Sequence, residues 1–255
     1  MTPPATQPTE ATRVDLSRRA TELRELMDDP HCDLARLERT YEEFMTVNRL
    51  VSGWRGIYRS RIRPLLAADR LTTLLDIGFG GGDVPRALAR WAASDGLRLA
   101  ITAIDPDERA GRFVGALPPV PGVTFLRASS DELVSAGRSF DLVTSNHLLH
   151  HLDDDALQQV LADSTALANR RVIHNDIERS RIAYAAYAPA TLPFARGSFI
   201  HQDGLLSIRR SYRRDELAAV APAGWRVERS LPFRLLLVHD SDGSAPADAE
   251  GSARA

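Results

Sequence analysis

A chain of 255 residues, 44% hydrophobic and 26% charged with a formal charge of −2, has the make-up of one globular unit and no global pull toward nucleic acid. Cys32 is the single cysteine, which excludes an internal disulfide, a CxxC pair and a cluster held by several of the chain's own thiolates. Arginine fills every one of the 32 Lys/Arg positions, so a Walker A lysine, a pyridoxal-phosphate Schiff base and a lysine general base are excluded as well.

Met1 to Glu10 is polar and proline-rich, without the basic start or apolar stretch of a signal peptide, and no run approaches the ~20 apolar residues of a membrane span. A cytoplasmic protein without membrane insertion is expected. Residues 1–13 and 241–255 are rich in Pro, Ala, Ser, Thr and Gly and read as disordered tails. A first helix is expected over Asp15 to Met27. A second starts at the N-cap Asp33, puts Leu34, Leu37, Tyr41 and Phe44 on one face, continues to Trp54, Ile57 and Tyr58, and breaks near Pro64. Residues 14–68 therefore form a helical cap ahead of a core at 69–240.

In the core the period changes. Strands are predicted at Leu74–Ile77, Leu99–Ile104, Val123–Leu126, Phe140–Ser145 and Arg171–Asp176, and helices at Val84–Ala93, Pro106–Leu117 and Asp153–Leu167. An irregular, aromatic insertion over 179–212 follows. Then come a helix at Arg214–Val220 and two strands, Trp225–Leu231 and Phe233–Val238, close enough for a hairpin. This alternation predicts an α/β fold with a mostly parallel sheet covered by helices on both faces.

Asp76-Ile77-Gly78-Phe79-Gly80-Gly81-Gly82-Asp83 joins the first of these strands to a helix. Glycines there let the backbone turn tightly and approach a ligand. A dinucleotide site wants glycine at the sixth position from Gly78, but that position is Asp83, and a carboxylate beside a pyrophosphate is unfavourable. The second strand ends at Asp105-Pro106, where a carboxylate can accept both hydroxyls of a ribose or simply cap the next helix.

The acid-x-Gly-x-Gly-x-Gly pattern resembles motif I of class I S-adenosylmethionine-dependent methyltransferases. The resemblance extends through Phe140-Asp141-Leu142-Val143-Thr144-Ser145-Asn146-His147 and spans roughly Thr73 to Asp176. It implies a Rossmann-like seven-stranded sheet and S-adenosyl-L-methionine as cofactor. It also implies a cofactor site made of Asp76, Gly78, Phe79, Gly80, Gly82, Asp105, Pro106, Ser129, Ser130, Asn146 and His147. Asp76 would help hold the methionine amino group, Asp105 the ribose, and Asn146 and His147 would wall the methyl donor. Ser129 departs from the pattern, since the family commonly has an acid there for the adenine amino group.

Ligands of open α/β sheets collect beyond the carboxyl ends of the strands. His147 and His150 lie past the fourth strand and His201 in the insertion, and a histidine titrating near neutrality suits removal of a phenol or enol proton. These three are the candidate catalytic residues, with His151 read as structural. The insertion, with Tyr184, Tyr187, Phe194 and Phe199, is either a substrate cap or a helix pair covering the sheet edge, and as a cap it predicts an apolar or aromatic acceptor. The arginines around Arg209 and Arg210 read as a solvated face. The acids near the site show no metal-ligand spacing, and no metal is expected. The expected partner is a small-molecule methyl acceptor and not nucleic acid, with the oligomeric state left open. O-methylation of an aromatic or polyketide-like hydroxyl is favoured. C-methylation of a quinone-type ring, a non-catalytic S-adenosylmethionine-binding protein and an NAD oxidoreductase stand as alternatives.

Overall fold

Short apolar runs closed by turn residues form seven strands in the computed structural model, which describes residues 14–241. They are β1 (Thr72–Ile77), β2 (Leu99–Ile104), β3 (Val123–Leu126), β4 (Phe140–Asn146), β5 (Ala168–Ile177), β6 (Trp225–Ser230) and β7 (Arg234–Asp240). The sheet order is β3-β2-β1-β4-β5-β7-β6, with β7 antiparallel to both β5 and β6. This is the mostly parallel, Rossmann-like α/β fold with a terminal antiparallel hairpin. The register pairs Ile77 with Ile104 and with Ser145, and Asn146 with Asn175, so β1, β2, β4 and β5 end along one edge.

The helices are α1 (Leu34–Val51), α2 (Trp54–Ile57), α3 (Asp83–Ser94), α4 (Glu108–Ala116), α5 (Ser130–Ser135), α6 (Asp154–Leu167), α7 (Arg181–Ala190), α8 (Ile200–Arg210) and α9 (Arg214–Val220). Strand side chains alternate between faces, and the core follows that alternation. Leu74, Ile101, Leu142 and Ile173 pack with Val84 and Leu88 of α3, whereas Leu75, Val143 and Val172 pack with Leu133 of α5 and Leu167 of α6. Burying both faces gives the sheet its near-continuous apolar strands.

Three expectations need correction. Asp15 to Met27 is not a helix but a strap across the molecule, with only a 3-10 turn at Leu26–Asp28. Several of its carbonyls go to arginines distant in sequence: Arg179, which is buried, and Arg213 both donate to Leu16 O, and the buried Arg210 donates to Leu23 O. The second helix starts as expected, with Asp33 accepting from Arg36 N at 3.1 Å, but ends at Val51, and Gly53 takes a left-handed backbone before α2. A helix missed in the sequence, α5, is opened by Ser129, whose N–H donates to Glu132 at 2.9 Å, the reciprocal bond of a capping box. The expected tails at 1–13 and 242–255 lie outside the described residues. Ser241, assigned to the second tail, donates to Arg170 O and Ala168 O.

Gly82, at the start of α3, has φ +71°, and a Cβ there would meet Val114 and Phe125 at 2.9–3.0 Å. Gly96 has a similar φ with nothing within 4 Å. Gly96→Ala is expected to cost about 1 kcal/mol from backbone strain alone, and Gly82→Ala about 1–3 kcal/mol more from overpacking. Denaturant unfolding of both variants checks this; equal losses would remove the packing explanation.

Candidate active site

The glycine loop takes its shape from the strand beside it. Gly78 N and Phe79 N donate to Ile104 O, and Gly80 N donates to Asp105 Oδ2 at 2.9 Å, while Asp105 Oδ1 accepts from Asp107 N. Asp105 thus organises the loop and is not the N-cap of α4, a place taken by Asp107. Phe79 is buried against Phe125 with ring centroids 4.9 Å apart, which pulls its side chain into the core and offers only its backbone. Gly78 and Gly80 remain half-buried and both have positive φ. A Cβ on Gly80 would meet only Tyr41, at 3.8 Å, so glycine there is demanded by the backbone and keeps open the space above it.

Asp76 is 2% exposed at the end of β1, accepting from Thr144 Oγ1 at 2.9 Å. Burial pushes its carboxyl up to about 7. Asp83 is pushed up to about 6 by burial, and Asn48 of α1 donates to it at 3.1 Å. Asp105 is raised by the same desolvation. Among the described residues neither Asp76 nor Asp83 forms a salt bridge. Three neighbouring carboxyls are thus taken out of water, two of them without a cationic partner.

The other cofactor candidates divide. Asn146 ends β4, and its Oδ1 accepts from Trp54 Nε1 and Asn175 Nδ2, both at 2.9 Å, which fixes the amide. Ser129 caps α5, Pro106 is exposed, and Ser130 is buried with its hydroxyl donated to Asp163 on α6 at 2.6 Å.

Beyond the ends of β4 and β5 lies a cavity of roughly 260 Å³, roofed by α7 and α8. Ile177, Ile208, Phe233 and the ring of Tyr187 make its walls largely apolar, and His147, Arg234 and the Tyr187 phenol are its ionisable groups. His147 has φ +57°, its N–H donating to Asn175 O, and its Nε2 accepts from Arg234. Burial holds the His147 pKa well below 6.5, with the nearby Arg234 acting in the same direction, so the ring is neutral. The other two candidate bases do not line this cavity. His150 is 1% exposed, with Nδ1 on Asp176 Oδ1 at 2.6 Å, and His201 pairs with Thr191 Oγ1 at 2.8 Å. Arg234 escaped the sequence reading; its one signal is a charge opening the otherwise apolar strand Leu235–Val238. Arg210, read as part of a solvated face, is buried and donates to the carbonyls of His150, His151 and Leu23.

A family model described as a methyltransferase domain matches residues 74–170. Residues 74–170 are thus similar to a methyltransferase domain. No curated protein matches the chain in sequence. Among solved structures, the chain resembles an O-methyltransferase family protein from Burkholderia thailandensis, at 15% identity and a TM-score of 0.56, over 82% of this chain and 60% of that one. It also resembles human N-acetylserotonin methyltransferase, solved with S-adenosylmethionine, at 11% identity and a TM-score of 0.55, over 82% of this chain and 56% of that one. A third likeness is to an S-adenosylmethionine-dependent methyltransferase from Aquifex aeolicus, at 13% identity and a TM-score of 0.53, over 80% of this chain and 97% of that one. The chain thus spans about three fifths of the first two proteins' length. At these identities the likeness is one of fold.

The domain's residues fit the cofactor on their own evidence. Buried carboxylates lacking a cation suit a ligand carrying an ammonium and a sulfonium, and would repel a diphosphate. Because a cationic ligand favours the ionised form of Asp76, its binding weakens as pH falls through about 7. Affinity for S-adenosylmethionine is expected to be about tenfold lower at pH 6 than at pH 8, and Asp76→Asn should flatten that slope while weakening binding at pH 8. Calorimetric titrations across pH check this; an unchanged slope in the variant would place the proton elsewhere.

Proposed function

We propose that the protein methylates a hydroxyl of a small aromatic or polyketide-like acceptor held in the cavity beneath α7 and α8. One observation carries the reading: an apolar cavity at the strand ends in which a neutral imidazole, His147, meets a guanidinium, Arg234. Bound S-adenosylmethionine supplies an activated methyl group on a sulfonium. Asp76, Asp105 and the backbone at Gly78 and Gly80 would hold it, with Asn146 and His147 at the boundary between the two ligands.

The chain's own part is alignment and proton removal. Tyr187 and Phe233 would flank a planar ring, and α7 and α8 would exclude water. An acceptor hydroxyl entering between His147 and Arg234 replaces their mutual contact: its proton passes to Nε2 and its oxygen accepts from the guanidinium. Arg234 stabilises the developing oxyanion, which brings the acceptor's acidity toward that of the imidazole. His150 and His201, away from the cavity, are assigned positioning roles within the turn after β4 and the α7–α8 hairpin.

His147→Ala is expected to lower kcat by about 10²-fold or more with a smaller change in the acceptor's KM, and Arg234→Met to act similarly. Since burial depresses the His147 pKa, the imidazole is already a free base at pH 6.5. At saturating cofactor, kcat should therefore be flat from pH 6.5 to 8 and fall only in more acidic solution. Turnover of a phenol panel, with NMR of the product to separate O–CH₃ from ring C–CH₃, tests the reading. A ring-methylated product, or unimpaired turnover in both variants, would overturn it.

A further inference from the structure

The strap ahead of α1 delivers a carboxylate to a place where two imidazoles converge. Glu25 is 3% exposed. His150 and His151, in the turn after β4, both present Nε2 to it, His150 at 3.3 Å from Oε1 and His151 at 3.7 Å from Oε2. Each participating side chain is held from behind. His150 Nδ1 is 2.6 Å from Asp176, His151 Nδ1 is 3.2 Å from Asp28, and Glu25 Oε1 accepts from Ser207 at 2.8 Å.

Glu25, Asp176 and Asp28 surround the two imidazoles, an arrangement that calls for positive charge from a proton or from a metal ion. A Nδ1–H donating to a carboxylate leaves Nε2 with its lone pair outward. Here two such nitrogens face an anion; although burial opposes it, Asp176 and Glu25 raise the His150 pKa, so without an ion a proton supplies the positive charge that a metal would bring. His150 Nε2 is fully buried and has no hydrogen-bond partner, so no hydrogen bond to Glu25 closes the gap. The three ligand atoms lie within 4.8 Å of one another. Ligands of a tetrahedral ion bound at about 2.0–2.1 Å stand about 3.3 Å apart, which matches the His150–Glu25 separation. A carboxylate on the far nitrogen of each imidazole is the usual outer support of metal-bound histidine.

We infer that Glu25, His150 and His151 form a binding site for one divalent transition-metal ion of the zinc type, oriented by Asp176, Asp28 and Ser207. Two imidazoles, made neutral at Nε2 by proton release on binding, and a carboxylate suit zinc over magnesium or calcium. Such an ion ties the strap to the turn after β4 and, through Ser207, to a wall of the acceptor cavity. The site left no ligand spacing in the sequence because Glu25 lies far from the two histidines along the chain and meets them only in the fold.

The test is independent of methyl transfer. Full-length protein free of any affinity tag, treated with chelator and dialysed, is titrated with Zn²⁺ by calorimetry and assayed for zinc after desalting. One equivalent is expected, with a rise in Tm. Glu25→Gln and His151→Ala, checked for folding by circular dichroism, should each bind at least about tenfold more weakly and lose the Tm rise. Asp176→Asn should weaken binding about 10–100-fold. Failure of the unaltered protein to retain zinc, or equal binding by the folded Glu25 and His151 variants, would overturn the site.

Discussion

A carboxylate buried at the end of the first strand, without a cation to match it, is the constraint around which the cofactor half of the molecule is arranged. Asp76 cannot leave the sheet, because β1 is flanked by β2 and β4 and Thr144 holds one oxygen. The loop that follows must curve back over the strand end, and Asp105 keeps it there through Gly80 N. Phe79 pins the loop's middle into the cluster of Tyr41, Phe113 and Val114. Helix α1 closes the far side, where Asn48 reaches Asp83. Each of these contacts further removes the acids from water. An unpaired buried charge is costly, and a cationic ligand is what lowers that cost.

The acceptor half is built by different means. Its roof, α7 and α8, is fastened to the strap and to the turn after β4 by buried arginines that spend their donors on backbone carbonyls. Arg179 reaches Leu16 and Ser211, and Arg210 reaches Leu23, His150 and His151. Planar guanidinium groups with five donors suit this role. The resulting cavity opens next to His147, whose left-handed backbone places it between the end of β4 and Arg234.

Much of this frame was readable in the sequence, for reasons that are local. β2 and β3 fall where their short apolar runs between turn residues placed them, although β3, at the sheet edge, is only half covered. The glycine loop and Asp105 are contiguous signals. What was lost depends on partners distant in sequence. The strap read as helical because its apolar residues have a helical spacing, but arginines about 160 to 200 positions away take its carbonyls. His150 looked like a base and is instead enclosed by Glu25 and Asp176, neither visible as a neighbour in the chain. Ser129 had a local signal that was passed over: Ser-x-x-Glu ahead of Leu133 is a helix start.

The central claim is that the acid-lined loop selects a cationic nucleoside over an anionic dinucleotide. Thermal unfolding of the full chain with S-adenosylmethionine and with NAD, at equal concentration and pH 8, tests it most directly, because a ligand of the native state raises Tm. The account predicts a clear rise with S-adenosylmethionine that is reduced in Asp105→Ala, and none with NAD. A rise with NAD, or none with S-adenosylmethionine, would contradict it.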